Sequence, residues 1–185
     1  MRSTLSLLAA AFALACASAP VEKNAPTTIT TTRISGGAAP GQTAITTTTV
    51  SPTATTDVAA PLDKTWRALR AVYDSLGIPV SQVDESQHVL GNTGIKIRRQ
   101  IGKTPLVRVV DCGHAQGGPN AETYEVFFAV ATQLHPTADG ARTLASTSLQ
   151  ASARPVSFAG EYVACTSTGG LESRIAEMLK QLAQG

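Results

Sequence analysis

The chain has 185 residues, 43% of them apolar, and a formal net charge of +2 from 15 Lys+Arg against 13 Asp+Glu. That length suits one folded domain with flexible additions, and the near-balance of charge argues against a nucleic-acid binder, which carries a strongly basic face. Aromatics make up only 4% and cysteines number three, so the core must be mostly aliphatic and the fold is not a disulfide-rich miniprotein.

The N-terminus reads as an export signal. Arg2 supplies a positive start, and an apolar run over 5–15, broken only by Ser6, follows it. Such a run matches a secretory h-region and is too short to cross a bilayer as a helix. It ends in Ala13-Leu14-Ala15-Cys16. This resembles the bacterial lipobox, whose cysteine becomes the acylated first residue of the mature protein. The match departs at Ala13, where that pattern prefers Leu. The resemblance implies a signal peptide over 1–15, lipidation of Cys16 and attachment to a membrane. The other reading is an ordinary signal peptide cut at Ala15 or Ala19, with Cys16 incidental. Ala17 follows the cysteine where an Asp would favour inner-membrane retention. The expected location is therefore the bacterial envelope, on the outer membrane facing the periplasm rather than on the inner membrane.

Residues 16–42 lack apolar periodicity and carry Pro20, Pro26, Gly36, Gly37, Pro40 and Gly41. They are expected to form a disordered tether behind the lipidated cysteine. Residues 43–185 are expected to fold as a single α+β domain. A first strand is expected over 44–50, where Thr and Val favour extended chain. The clearest helix spans 61–76. Leu62, Trp66, Leu69, Val72, Tyr73 and Leu76 recur there at spacings of three and four, with Pro61 at the start and Gly77 at the stop.

Strands follow. One runs from Ile78 towards Val83, and one at Val89-Leu90 leads into a turn at Gly91-Asn92. Ile95, Ile97 and Ile101 alternate with polar residues. Further strands are expected over 106–110, over 123–134 with Tyr124, Val126, Phe128, Val130 and Thr132 on one side, and over 143–153 with Leu144, Ala145, Thr147 and Leu149. Loops are expected over 113–120 and 135–140. A last helix over 169–183 presents Leu171, Ile175, Met178, Leu179 and Leu182, with Ser167 or Thr168 as its cap and Glu172 near its positive end. The expected architecture is α+β: an antiparallel sheet of five to six strands packed on two helices in a helix-grip-like layout.

Leu62-Asp63-Lys64-Thr65-Trp66-Arg67-Ala68-Leu69, Leu76-Gly77-Ile78-Pro79-Val80, Asp84 and Gly91 together resemble the opening of the helix-grip domains in the BamC family of outer-membrane assembly lipoproteins. There too a Trp-bearing helix ends in Leu-Gly before a strand and a hairpin. The similarity covers 62–91 and is at the level of fold. It implies an accessory envelope lipoprotein and carries over no catalytic residue.

With Cys16 assigned to the lipid, Cys112 and Cys165 remain as an even pair in an oxidising compartment. A disulfide between them would stabilise by about 4 kcal/mol in the chain-entropy model; two buried thiols are the alternative. Asp111-Cys112-Gly113-His114 lacks the third and fourth ligands a zinc site needs. His88 and His135 stand far from it in sequence, each in or beside an expected loop. No Gly-x-Ser-x-Gly elbow and no Walker loop are present, so neither a metal nor another cofactor is expected. The two glycines and two hydroxyl residues of Ser167-Thr168-Gly169-Gly170 read as capping rather than as an anion site.

Lys96, Arg98, Arg99, Lys103 and Arg108 form one basic cluster around a hairpin at Gly102-Lys103-Thr104-Pro105. They read either as a solvated sheet face or as a contact for anionic lipid headgroups or cell-wall polymer. Trp66, Tyr73, Phe128 and Leu149 are core residues that would also line an apolar pocket, if one exists. The leading functional expectation is a non-catalytic envelope lipoprotein whose tethered domain binds a protein partner or supports envelope assembly. The alternative is a periplasmic carrier for a small apolar ligand; a hydrolase ranks last, with no motif behind it.

Overall fold

The computed structural model describes residues 53–156 and 160–185. The expected strand over 44–50, the tether and the leader lie outside the described residues. The elements in chain order are β1 (Thr53–Val58), α1 (Leu62–Ser75), β2 (Gln82–Asp84), β3 (Val89–Ile97), β4 (Gln100–Ile101), β5 (Thr104–Pro105), a 3₁₀ turn (Leu106–Arg108) and β6 (Val110–Asp111). Then come β7 (His114–Ala115), β8 (Gly118–Pro119), α2 (Asn120–Thr123), β9 (Glu125–Pro136), β10 (Thr143–Arg154), β11 (Val163–Ser167) and α3 (Gly170–Gln184).

Among the described residues the architecture is α+β, with seven strands in the main sheet and three helices. The sheet runs β2-β3-β9-β10-β11-β6, and β1 also pairs with β10. Every pairing is antiparallel. Strands β9 and β10 form its centre, paired without a slip from Thr143↔Pro136 to Arg154↔Glu125. The free edge of β10 is shared: β1 takes Thr143 to Ser148, and β11 takes Ala151 to Ala153.

Side chains alternate across a strand, and here the alternation separates core from surface. Val126, Phe128, Val130, Thr132 and Leu134 of β9 are buried, as are Thr143, Ala145, Thr147, Leu149 and Ala153 of β10. The intervening residues are half-buried or exposed. Helices α1 and α3 pack on each other and cover the buried face. Helix α1 contributes Ala68, Leu69, Val72 and Tyr73; α3 contributes Leu171, Ile175, Leu179 and Ala183. Leu182, expected in the α3 stripe, is exposed at 46%, and Leu144 of β10 also faces outward.

Several expectations are corrected. Gly91-Asn92 is not a turn but lies inside β3. A methyl group on Gly91 would collide with the Val130 carbonyl oxygen, so the glycine serves close backbone approach. The Asn92 amide donates to the Pro79 carbonyl at 2.7 Å and its oxygen accepts from the Gly94 N–H at 2.8 Å, holding a bulge between Asn92 and Ile95. Residues 106–110 are not one strand. Leu106 begins the 3₁₀ turn, because only Val110 and Asp111 find a partner, in Ser167 and Thr166 of β11. The loop expected over 113–120 holds the small β7–β8 hairpin and leads into α2, and His135 belongs to β9.

The Gly102-Lys103 hairpin forms as expected and docks under the end of α1. Gly102 has φ +54°, and a methyl group there would strike the Leu76 carbonyl oxygen. Helix α3 begins at Gly170, and its N-cap is Gly169 rather than the expected Ser167 or Thr168; the Gly169 N–H donates to the Ser167 hydroxyl at 3.0 Å, and Ser167 donates to Glu172, which is buried.

Hydroxyls tie the helix layer to the sheet. The Tyr73 hydroxyl is 3.0 Å from that of Thr132, which is 2.9 Å from that of Thr147. Thr143 donates to the Ala60 carbonyl at 2.8 Å just before α1. Burial pushes the Tyr73 hydroxyl up to about 12, and its bond to Thr132 opposes that rise. A tyrosine in the unfolded chain ionises near 10. The protonated form is therefore favoured in the fold; this stabilisation is whole below pH 10 and is lost as pH climbs towards 12. At pH 11 the loss from Tyr73 is about 1.4 kcal/mol. Urea unfolding at pH 8 and pH 11 is expected to show that drop in excess of the drop in Tyr73→Phe; equal drops would contradict it.

Candidate functional site

The face of the sheet turned away from the helices is built from short side chains over most of its area. On β9 and β10 these include Ala129, Ala131, Ser146, Ser148, Gln150 and Ser152, all half-buried. The face changes character at the end where β3 and β10 finish and β9 begins. Lys96 pairs with Phe127, Phe127 pairs with Ser152, and Arg154 stands opposite Glu125. The Lys96 ammonium lies 5.3 Å from the Phe127 ring centre, and the Arg154 guanidinium lies 6.0 Å from it. Arg154 is also 5.2 Å from the ring of Tyr162, which meets Phe127 edge-on at 5.0 Å. Contacts of this kind contribute about 0.5–1 kcal/mol each at exposed sites. Their larger effect is to fix two cations and two rings in one corner. Tyr162 is 54% exposed and Val156, at the other side of the β10–β11 connection, is 49% exposed.

Electrostatically the sheet has two unlike ends. Arg98 and Arg99 follow Lys96 at the corner and are exposed. Among the described residues neither Lys96, Arg98, Arg99 nor Arg154 has a carboxylate in ion-pair range. Glu125 and Glu161 are the acidic residues adjacent in chain or register. At the opposite end Arg142 is neutralised by Asp57 at 2.8 Å. Asp139 lies beside it, its carboxyl held below the usual range by the Thr137 hydroxyl and the Ala141 N–H.

The five cations grouped in sequence are not one sheet face. Lys96 points outward from the sheet, Arg98 and Arg99 lie between β3 and β4, and Lys103 sits on the hairpin docked under α1. Arg108 is in the 3₁₀ turn, where its carbonyl accepts from the Thr168 hydroxyl at 2.7 Å. Arg154, Phe127 and Tyr162 complete the corner, and sequence reading passed over them. Arg154 and Phe127 do share outward parity with Ser152 along their strands, and that was the available signal; Tyr162 carried none.

Trp66 packs half-buried against the core with its ring edge-on to His88 at 5.6 Å. Tyr73, Phe128 and Leu149 are inside, with 0%, 1% and 2% of their surface exposed. Tyr73, Phe128 and Leu149 therefore belong to the packed core, and Trp66 lies half-buried against its edge. A surface cleft of about 330 Å³ lies elsewhere, between the β7–β8 hairpin, Tyr124 and Pro155-Val156. Among the described residues no three His, Cys, Asp or Glu side chains converge as metal ligands.

Cys112 and Cys165 are joined by a disulfide across 53 residues. It ties the segment after β6 to β11, immediately before α3. Asn120, buried, donates to the Cys112 carbonyl at 2.9 Å and closes the loop that leads into α2.

No protein-family model matches the chain, and no curated protein matches it.

Reduction of the disulfide restores the entropy of a loop of this length to the unfolded chain, about 4 kcal/mol in the chain-entropy model. Cys112→Ala/Cys165→Ala is expected to lower the unfolding free energy by that order in urea, and reductant is expected to shift only the parent protein. An unchanged midpoint in both comparisons would remove the disulfide from the account of stability.

Proposed function

We propose that this chain is a non-catalytic envelope lipoprotein, anchored through acylated Cys16, whose α+β domain is an interaction module for a protein partner in the envelope. The observation that carries the module reading is the packed interior. Tyr73, Phe128 and Leu149 occupy the space a carried apolar ligand would need. The anchoring reading is supported by the apolar run that stops at Ala13-Leu14-Ala15-Cys16. One acyl chain holds a protein at a membrane only marginally, and a multiply acylated cysteine holds it far longer. Ala17 in place of an acidic residue supports the outer membrane, facing the periplasm. The alternative, a periplasmic carrier, is left with the cleft beside Tyr124, whose volume is at the low end for small-molecule sites.

Intact mass of the membrane-extracted protein, with and without reduction and alkylation, tests this reading. The expected species begins at Cys16, carries added acyl mass and gains two alkyl groups only after reduction. A chain cut elsewhere, without lipid mass, would refute the anchor.

A further inference from the structure

The Lys96–Phe127–Arg154–Tyr162 corner has the composition of a surface that rests on an anionic bilayer. We infer that the domain docks this end of its sheet, with Arg98 and Arg99, onto anionic lipid headgroups. The inference deepens the lipoprotein reading and rests on it for what brings the domain to the membrane.

Three observations favour a bilayer over other anionic partners. The first is charge. Four exposed cations gather at one end of the sheet, and the neighbouring acids are Glu125 and Glu161. The other end has its arginine neutralised by Asp57. Such an asymmetry orients a domain towards a negative plane. The second is the chemistry of the exposed groups. Tyr162 offers a ring with a polar tip and Val156 an apolar side chain, on either side of the β10–β11 connection. Tyrosine suits the headgroup layer because one end is apolar and the other wet. Along the rest of the face small Ser and Ala side chains predominate, with Gln133, Gln150 and Leu144 among them.

The third is where the chain enters. Strand β1 starts with Thr53 opposite Ser148 and ends with Val58 opposite Thr143. It therefore runs away from the Arg154 end, and its attachment to the preceding residues faces that end. Thr53 lies six residues along β10 from Arg154, about 20 Å. Thr53 enters near the middle of β10, so an anchor at Cys16 would keep the domain close to the membrane and the charge asymmetry would choose which end docks. The 36 residues 17–52 set an upper limit of about 130 Å on that distance, so the domain never leaves the neighbourhood of the bilayer.

The test uses residues 17–185, which include every described residue and exclude both leader and lipid, with vesicles of phosphatidylcholine alone or with 30% phosphatidylglycerol. Binding is expected only to the anionic vesicles and is expected to vanish at high salt. Each basic residue near a membrane is worth roughly a five-fold change in partitioning, so Lys96→Gln/Arg154→Gln is expected to weaken binding about 25-fold. Arg174→Gln/Lys180→Gln removes the same charge from exposed positions on α3, in the other layer, and is expected to change it by less than two-fold. Circular dichroism of both variants checks that they fold. Equal losses from the two pairs would overturn the site, leaving only net charge. No binding of the parent to anionic vesicles would overturn the inference, as would binding to isolated cell-wall polymer with none to vesicles. The lipid anchor would stand or fall separately, on the mass of the extracted protein.

Discussion

The pairing of β9 with β10 is the constraint on which the rest of the molecule depends. Twelve residues of each strand match without a slip, so one face of both lies over the core and the other is turned outward. A one-residue shift would turn Val126, Phe128, Val130 and Leu134 outward. It would also separate Thr132 from Thr147, whose hydroxyls meet at 2.9 Å inside the core. A buried hydroxyl without a partner costs about 1–3 kcal/mol, so the polar pair penalises the wrong register from within an otherwise aliphatic layer. Tyr73 joins the same pair from α1 and sets where that helix lies over the sheet. The other strands, β3 on one side and β1 and β11 on the other, take their positions from this ladder.

The same ladder carries an asymmetry of charge. Because the strands are long and unbroken, residues near their ends are held far apart on one rigid surface. Lys96, Arg154, Phe127 and Tyr162 gather at one end, and the Asp57–Arg142 pair closes the other. The interior between the sheet and the helices is filled by side chains with little or no exposure. The disulfide between Cys112 and Cys165 adds rigidity on the β6–β11 side, where the strands are short and offer few ladder bonds of their own.

What the sequence showed, it showed through local periodicity. Leu69, Val72, Tyr73 and Leu76 mark α1, and the alternation from Val126 to Thr132 marks β9. These signals need no knowledge of the neighbours. The misses share a different cause. Gly91-Asn92 has the composition of a turn, yet the crossing Val130 carbonyl requires that glycine and the Pro79 carbonyl engages that asparagine. Residues 106–110 are rich in β-branched side chains, but a strand needs a partner and β11 has room for two residues only. Strand β1 reads Thr-Ala-Thr-Thr-Asp-Val, with Val58 its one large buried apolar residue, and so has little pattern to read. The cationic corner was half legible. Lys96, Arg98 and Arg99 stood out as charge, while Lys103 and Arg108 were grouped with them by sequence proximity although the fold sends them elsewhere. Arg154 and Tyr162 join only through the pairing of β10 with β11.

The central claim is that an anchored domain rests the Arg154 end of its sheet on the bilayer. Tryptophan placed at either end of the sheet reports this directly. Tyr162→Trp and Leu144→Trp, each with Trp66→Phe and each in the acylated full chain, would be reconstituted into vesicles holding lipids brominated close to the headgroup. The account predicts strong quenching of the tryptophan at 162 and little at 144. Equal quenching at both positions, or stronger quenching at 144, would contradict it.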